Sequence, residues 1–281
     1  MKATFLVDNE TLEGSGCGCE WGLSVLVEQD GTRVLLDTGA TGLFAENARM
    51  LGVDLASVQA AVLSHAHFDH SGGFDEFFAE NPTAPLYLHE SAAEDCYALK
   101  PHGIEYIGVP EGVLSRFKQR IRRISEKTCI APGFWVLPHT TPGLEEVGRA
   151  SKMYRGPRFC GTVPNADQLA FDDFSHEVSL VVEVGDGIAV FNSCSHAGAD
   201  VVVAEAQAAW PGRRVRAVVG GFHLFEKPEG YVRAFARRLR ATGVELVCTG
   251  HCTGAPALGI LRDELGANVV VATAAGLEVR L

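Results

Sequence analysis

Ala60-Ala61-Val62-Leu63-Ser64-His65-Ala66-His67-Phe68-Asp69-His70-Ser71-Gly72-Gly73 is the stretch that decides the fold. It begins as an apolar run of the kind that forms a buried strand. Three imidazoles and a carboxylate then follow within six residues. Side chains two apart in an extended segment share a face, so His65 and His67 can reach one ion. As the chain turns into the next helix, Asp69 and His70 swing toward a second position nearby, the arrangement of two-metal hydrolases. Imidazole nitrogen with carboxylate oxygen suits zinc, or iron and manganese where carboxylates take a larger share. Without a cation, titratable groups packed this closely would repel or waste desolvation, so a mere surface cluster is rejected.

Upstream of this stretch the sequence reads as strands over Thr4–Asp8, Gly22–Glu28 and Arg33–Asp37. Gln29-Asp30-Gly31 makes a hairpin turn between the last two. A helix is expected over Thr41–Leu51, another over Gly73–Ala79, and a strand over Pro85–Leu88. The second half repeats this grammar. Strands are expected at Val178–Val184, Ile188–Asn192, Val215–Val219, Val244–Cys248 and Asn268–Val271, with helices at Ala199–Ala209, Pro228–Ala241 and Ala255–Leu265. Hairpins opening an α/β alternation twice over predict two sheets packed face to face with helices outside. Residues from about 100 to 173 break the rhythm, apart from a basic helix expected near Val113–Ser125, and are read as an insertion over the site. The whole of 1–281 is read as one domain.

Four residues cannot complete two sites, so more ligands must come from elsewhere. Val190-Phe191-Asn192-Ser193-Cys194-Ser195-His196-Ala197-Gly198 and Leu246-Val247-Cys248-Thr249-Gly250-His251-Cys252-Thr253-Gly254 each set a histidine among small residues just past an apolar strand. His196 and His251 are therefore candidate ligands, because small neighbours let the backbone approach a metal closely. Cys194, two residues before His196, is an alternative ligand. His223, in Gly220-Gly221-Phe222-His223-Leu224, ends another apolar strand and is a candidate for a role near substrate or metal, such as donating to an oxyanion or phosphate. His89 and His102 are read as structural.

The order of these motifs, with Leu36-Asp37-Thr38-Gly39 closing the third strand, resembles the metallo-β-lactamase fold superfamily over nearly the whole chain. Gly22-Leu23-Ser24, Cys194-Ser195-His196-Ala197-Gly198, Gly220-Gly221-Phe222-His223-Leu224 and His251-Cys252-Thr253-Gly254 resemble one subfamily, that of metal-dependent hydrolases and 7,8-dihydropterin-6-methyl-4-(β-D-ribofuranosyl)aminobenzene-5′-phosphate synthase-like proteins. The resemblance implies an α/β fold, an αββα sandwich of two mixed sheets with outer helices. It implies one metal on His65, His67 and His196 and the other on Asp69, His70 and His251. Asp37 would stand behind them, accepting a hydrogen bond that orients an imidazole. There are departures. The Pro-Gly-His-Thr motif that often supplies a superfamily ligand is disturbed here to Pro138-His139-Thr140-Thr141-Pro142-Gly143, which leaves His139 and His176 as competing extra ligands. Trp21 stands where relatives more often carry histidine.

Composition bounds the rest. A net charge of −11 argues against nucleic acid and anionic membranes as partners. Eight scattered cysteines, and an opening apolar stretch too short for a signal peptide, point to a cytoplasmic protein with reduced thiols. Residues 101–160 nevertheless carry +5 against −16 elsewhere. The run Arg116, Lys118, Arg120, Arg122 and Arg123 is thus a candidate for neutralising a phosphorylated small-molecule substrate. The expected activity is hydrolysis through a hydroxide bridging two divalent metal ions, zinc first and manganese or iron otherwise, with Asp69 or His223 assisting proton transfer. A transferase of the dihydropterin synthase type, forming a C–N bond with release of pyrophosphate, is the alternative. A metal or redox sensor without turnover is a third. The chain is compatible with a homo-oligomer.

Overall fold

The computed structural model describes residues 1–281 as an αββα sandwich. Two seven-stranded mixed sheets form its centre. The first runs in the order Glu278–Arg280, Lys2–Val7, Ser24–Gln29, Thr32–Leu36, Ala60–Val62, Leu86–His89, Ile121–Ile124. The second runs Val270–Ala272, Leu246–Thr249, Arg214–Val219, Gly187–Phe191, Val178–Val184, Phe134–Pro138, Thr128–Ala131. Each sheet joins antiparallel hairpins to a parallel α/β half. Asp30 and Gly31 both take positive φ in the expected two-residue turn, which pairs Gln29 with Thr32.

Strand alternation sorts the core into three layers. Ala3, Phe5, Val25, Val27, Val34 and Leu36 face inward and meet Val136, Val178, Leu180, Val182, Ala189 and Phe191 of the other sheet. Leu6, Leu26 and Leu35, one residue out of phase, face the helices that carry Phe44, Phe74 and Phe77. Val181, Val190, Val218 and Val247 do the same for the second sheet against Val203, Phe235 and Leu261. Each such buried phenylalanine contributes about 3–5 kcal/mol relative to alanine.

The expected basic helix near Val113–Ser125 is a single turn, Val113–Arg116, followed by the edge strand Ile121–Ile124. Its arginines tie that edge down instead of forming a polar helix face. Arg116 pairs with Asp75, Arg120 donates to Ala84 O and Asn81 O, and Arg123 donates to Glu90 O and Ala92 O. Within residues 100–173, Ile121–Ile124 extends the first sheet, and Thr128–Ala131 and Phe134–Pro138 extend the second. Met153–Arg155, Ala170–Phe171, Cys96–Lys100 and Gly103–Tyr106 make a separate four-stranded sheet beside the site. No helix is long and apolar enough to cross a membrane.

Candidate metal centre

The expected ligands gather at one edge of the sandwich, and both sheets supply them. Behind Ala60–Val62 the chain runs through Ser64 to His70, entering a short helix at Phe68–Ser71. Gly72 permits that turn, since a Cβ there would lie 1.9 Å from Ala40 O. The second sheet brings Cys194 and His196 from the end of Gly187–Phe191, and His251 from the end of Leu246–Thr249. Asp37, Ser195, His223 and His251 all adopt positive φ, a conformation that costs a non-glycine residue about 1 kcal/mol or more and that clusters at functional sites.

Asp37 organises the first-sheet side. It is fully buried and accepts from Ser64 N at 2.7 Å, Ser64 Oγ at 2.6 Å, His70 Nδ1 at 2.8 Å and Ser193 Oγ at 2.5 Å. Because the Ser64 hydroxyl proton goes to Asp37, its oxygen takes the Nδ1 proton of His65, 2.8 Å away. One carboxylate thereby sets the tautomer of two imidazoles and leaves each Nε2 with a free lone pair. His251 is held likewise, with Nδ1 donating to Asn9 Oδ1 at 3.0 Å. His196 places Nδ1 3.4 Å from Glu177 Oε1 without a hydrogen bond, and its backbone N–H donates to Glu177.

The nitrogens this leaves free test whether a cation fits. His65 Nε2, His67 Nε2, His196 Nε2 and His251 Nε2 are buried with no hydrogen-bond partner. Orphaned polar atoms are rare in folded interiors, and several converging on one spot are what a bound cation explains. Asp69 Oδ2 lies 3.6 Å from both His70 Nε2 and His251 Nε2, and accepts from Trp21 Nε1 at 2.9 Å. Donor atoms of His65, Cys194 and His196 lie within 4.8 Å of one another, as do those of His70, Cys194 and His251. The residues therefore fit metal binding.

His67 departs in part from the expected grouping. Its ring centroid is 4.6 Å from that of His65 and 5.5 Å from that of His196, but its Nε2 faces Asp172 Oδ2 at 3.8 Å. His67 groups with Cys96, Asp172 and His176. The backbone N–H of Ala66 donates to His176 Nδ1, so the ring proton sits on Nε2 and is given to Asp172 at 3.2 Å. In that tautomer His176 supports Asp172. His139 is also occupied, between Glu205 at 2.6 Å and Asn192 at 2.9 Å. Gly220 and Gly221, which drew attention to His223, are explained by packing. A Cβ on Gly220 would meet Asn192 O at 1.8 Å, and one on Gly221 would meet Cys252 Sγ at 2.4 Å.

Electrostatics suit ligation. Burial lowers the pKa of His65, His67, His196 and His251, with the neighbouring imidazoles adding to it for His65 and His67; His67 falls to about 4. Burial pushes His70 the same way, but Asp69 and Asp37 outweigh it and raise it to about 9. Burial thus favours the neutral, ligating form of four of these imidazoles, while on His70 the two carboxylates favour a proton at Nε2 that a bound cation would displace.

Above this floor opens a cavity of about 640 Å³, lined by His67, Asp69, Cys194, His196, His223 and His251 below and by Trp21, Phe68 and Phe225 at the sides. Lys100 and Lys152 stand at its rim, whereas Arg116, Lys118, Arg120, Arg122 and Arg123 do not line it. The basic run is therefore not the anion site the sequence suggested. The carboxylates and amides that orient the imidazoles, Glu177, Asp172 and Asn9, were not picked out by sequence reasoning. Asp8-Asn9 closing an apolar strand opposite Asp37 is the one signal that could have found any of them.

Comparisons with known proteins agree with this fold. The family model described as "Metallo-beta-lactamase superfamily" matches residues 19–150. The chain is similar to the 7,8-dihydropterin-6-methyl-4-(beta-D-ribofuranosyl)-aminobenzene-5'-phosphate synthase of Methanocaldococcus jannaschii. They are 27% identical over 262 residues, covering 86% of this chain and 84% of that protein. Among solved structures it is similar to Tm1679, a metal-dependent hydrolase of the beta-lactamase superfamily, with a TM-score of 0.80 and 28% identity over 100% of this chain and 99% of that one. Zinc-bound PqqB from Methylobacterium extorquens shares the fold over both full lengths, at a TM-score of 0.57 and 14% identity.

Proposed function

We propose that this chain, which matches the metallo-β-lactamase superfamily model over residues 19–150 and shares the fold of a hydrolase of that superfamily, is a dinuclear metal-dependent hydrolase of a phosphate-containing small molecule. The observation that carries the proposal is the set of buried, unpartnered Nε2 atoms on His65, His67, His196 and His251, the last three lining a cavity with lysines at its rim and aromatic walls. His65, His67 and His196 would hold one cation, and Asp69, His70 and His251 the other. Divalent cations so held polarise a substrate oxygen and acidify coordinated water. Zinc suits the donor set.

The chain's own residues do the remainder. Lys100 and Lys152 are exposed, form no ion pair, and would neutralise the substrate phosphate at the rim. Trp21, Phe68 and Phe225, each more than a third exposed, offer stacking surfaces for a planar body. Trp21 also anchors Asp69, its indole N–H donating to the same Oδ2 that stands 3.6 Å from His70 Nε2 and His251 Nε2. His223 keeps a buried, unpartnered Nδ1 beside the cavity and would hand a proton to the leaving group.

The likeness to the M. jannaschii synthase favours a second reading, a transferase that joins an amine to a phosphorylated substrate. Aromatic walls and paired lysines would serve either. The test is elemental analysis joined to turnover on phosphomonoesters, phosphodiesters, lactones and pterin diphosphates. About two ions per chain with phosphate release in water alone supports the hydrolase. Pyrophosphate release that requires an arylamine supports the transferase, and full activity after exhaustive chelation would sink both.

A further inference from the structure

Cys194 occupies a position that neither a histidine nor a carboxylate shares. Its thiol is 4% exposed and stands at the end of the strand Gly187–Phe191. It is common to the group formed with His65 and His196 and to the group formed with His70 and His251. Its Sγ lies 3.3 Å from His70 Nε2. Two donors on one zinc, at about 2.3 Å for sulfur and 2.0 Å for nitrogen, stand about that far apart. The imidazole nitrogens it faces on His65, His196 and His251 are buried and unpartnered.

We propose that the Cys194 thiolate bridges the two cations, resting on the dinuclear reading above and adding to it a sulfur ligand shared by both half-sites. As the two sulfur–metal bonds form, the thiol proton leaves to solvent. A soft shared donor biases the centre toward zinc and away from magnesium or manganese. Cys252, whose Sγ is 3.5 Å from Cys194 Sγ, is the internal comparison. It accepts from the His223 backbone N–H and groups with Cys194 and His223 but with neither ligand pair.

Zinc X-ray absorption and cobalt substitution test the bridge. A sulfur at about 2.3 Å should average about one per zinc if shared, and about half that if it binds one ion only. The cobalt protein should show a near-ultraviolet thiolate-to-metal band that C252S keeps and C194S loses, with metal affinity in C194S down about tenfold or more. A C194D variant, whose carboxylate can also span two ions, should retain both cobalt ions without the band and guards against misfolding of C194S. A band that survives in C194S overturns the proposal, and so does a count near half a sulfur per zinc. Wild-type protein holding two ions with no sulfur signal overturns the bridge and leaves the dinuclear centre standing, whereas one ion or none overturns both.

Discussion

Replacing Asp37 by asparagine isolates what a single carboxylate does for this centre. The Ser64 N–H cannot turn away, so the amide oxygen must keep the place of Oδ1, and the NH2 group takes the place of Oδ2. It then confronts three donors, His70 Nδ1, Ser64 Oγ and Ser193 Oγ. The hydroxyls can rotate and accept. His70 can accommodate only by moving its proton to Nε2, which removes the lone pair it would offer a cation. Ser64, once accepting from the amide, no longer orients His65. Losing charge-assisted hydrogen bonds worth about 1.5–3 kcal/mol each, partly recovered by the rotated hydroxyls, should destabilise the metal-free protein by about 2–4 kcal/mol. Metal affinity should fall about 10–100-fold, or about 1.4–2.7 kcal/mol. Urea denaturation of the chelated protein reads the first quantity, and titration against a competing chromophoric chelator reads the second. D37N protein that binds both ions as tightly as the parent would refute the tautomer argument, even if its stability dropped.

Further outcomes follow from other parts of the structure. The double variant K100A/K152A should raise KM for a phosphorylated substrate about tenfold with kcat little changed, because rim charges bind ground and transition states alike; steady-state kinetics checks this, and a loss confined to kcat would contradict it. Chelation should lower the melting temperature by several degrees in calorimetry, since ions that bind only the folded state stabilise it by mass action. Glu205 accepts from His139, Thr140 and Thr141, and although partial burial opposes it, the His139 contact lowers its pKa. A depressed carboxylate stabilises above its unfolded pKa of about 4.3 and loses that contribution as the pH falls. E205Q should therefore be about 1 kcal/mol less stable at pH 7, with the deficit closing in acid. Gly72→Ala should cost about 3 kcal/mol or more, because its Cβ would sit 1.9 Å from Ala40 O, and chemical denaturation measures it.

Much of the framework was legible because apolar alternation and turn residues are local signals. Asp30-Gly31 sets a hairpin register, and the paired phases of Val25–Leu26–Val27 decide which core each side chain enters. The cluster His65–His70 was legible because so many ligating groups in six residues have few other uses. Residues 113–125 were misread because charges spaced along an edge strand mimic a polar helix face when their carbonyl partners lie far away in sequence. His139 could not be separated from His176 for the same reason: what each imidazole nitrogen faces is decided by Glu205, Asn192, Asp172 and the Ala66 N–H, none of which the sequence brings near.

The centre straddles the seam of the sandwich. His65, His67, Asp69 and His70 ride on the sheet built mainly from the first half of the chain, while Cys194, His196 and His251 ride on the other. Any cation seated there is a rivet between two slabs whose shared interior is apolar and whose edge is already pinned by polar contacts such as Ser193 Oγ to Asp37. Small sliding of one slab on the other would then read out as altered grip on the ion, so distant substitutions in the shared hydrophobic layer, Phe5 or Phe191 among them, can detune the chemistry without touching a ligand.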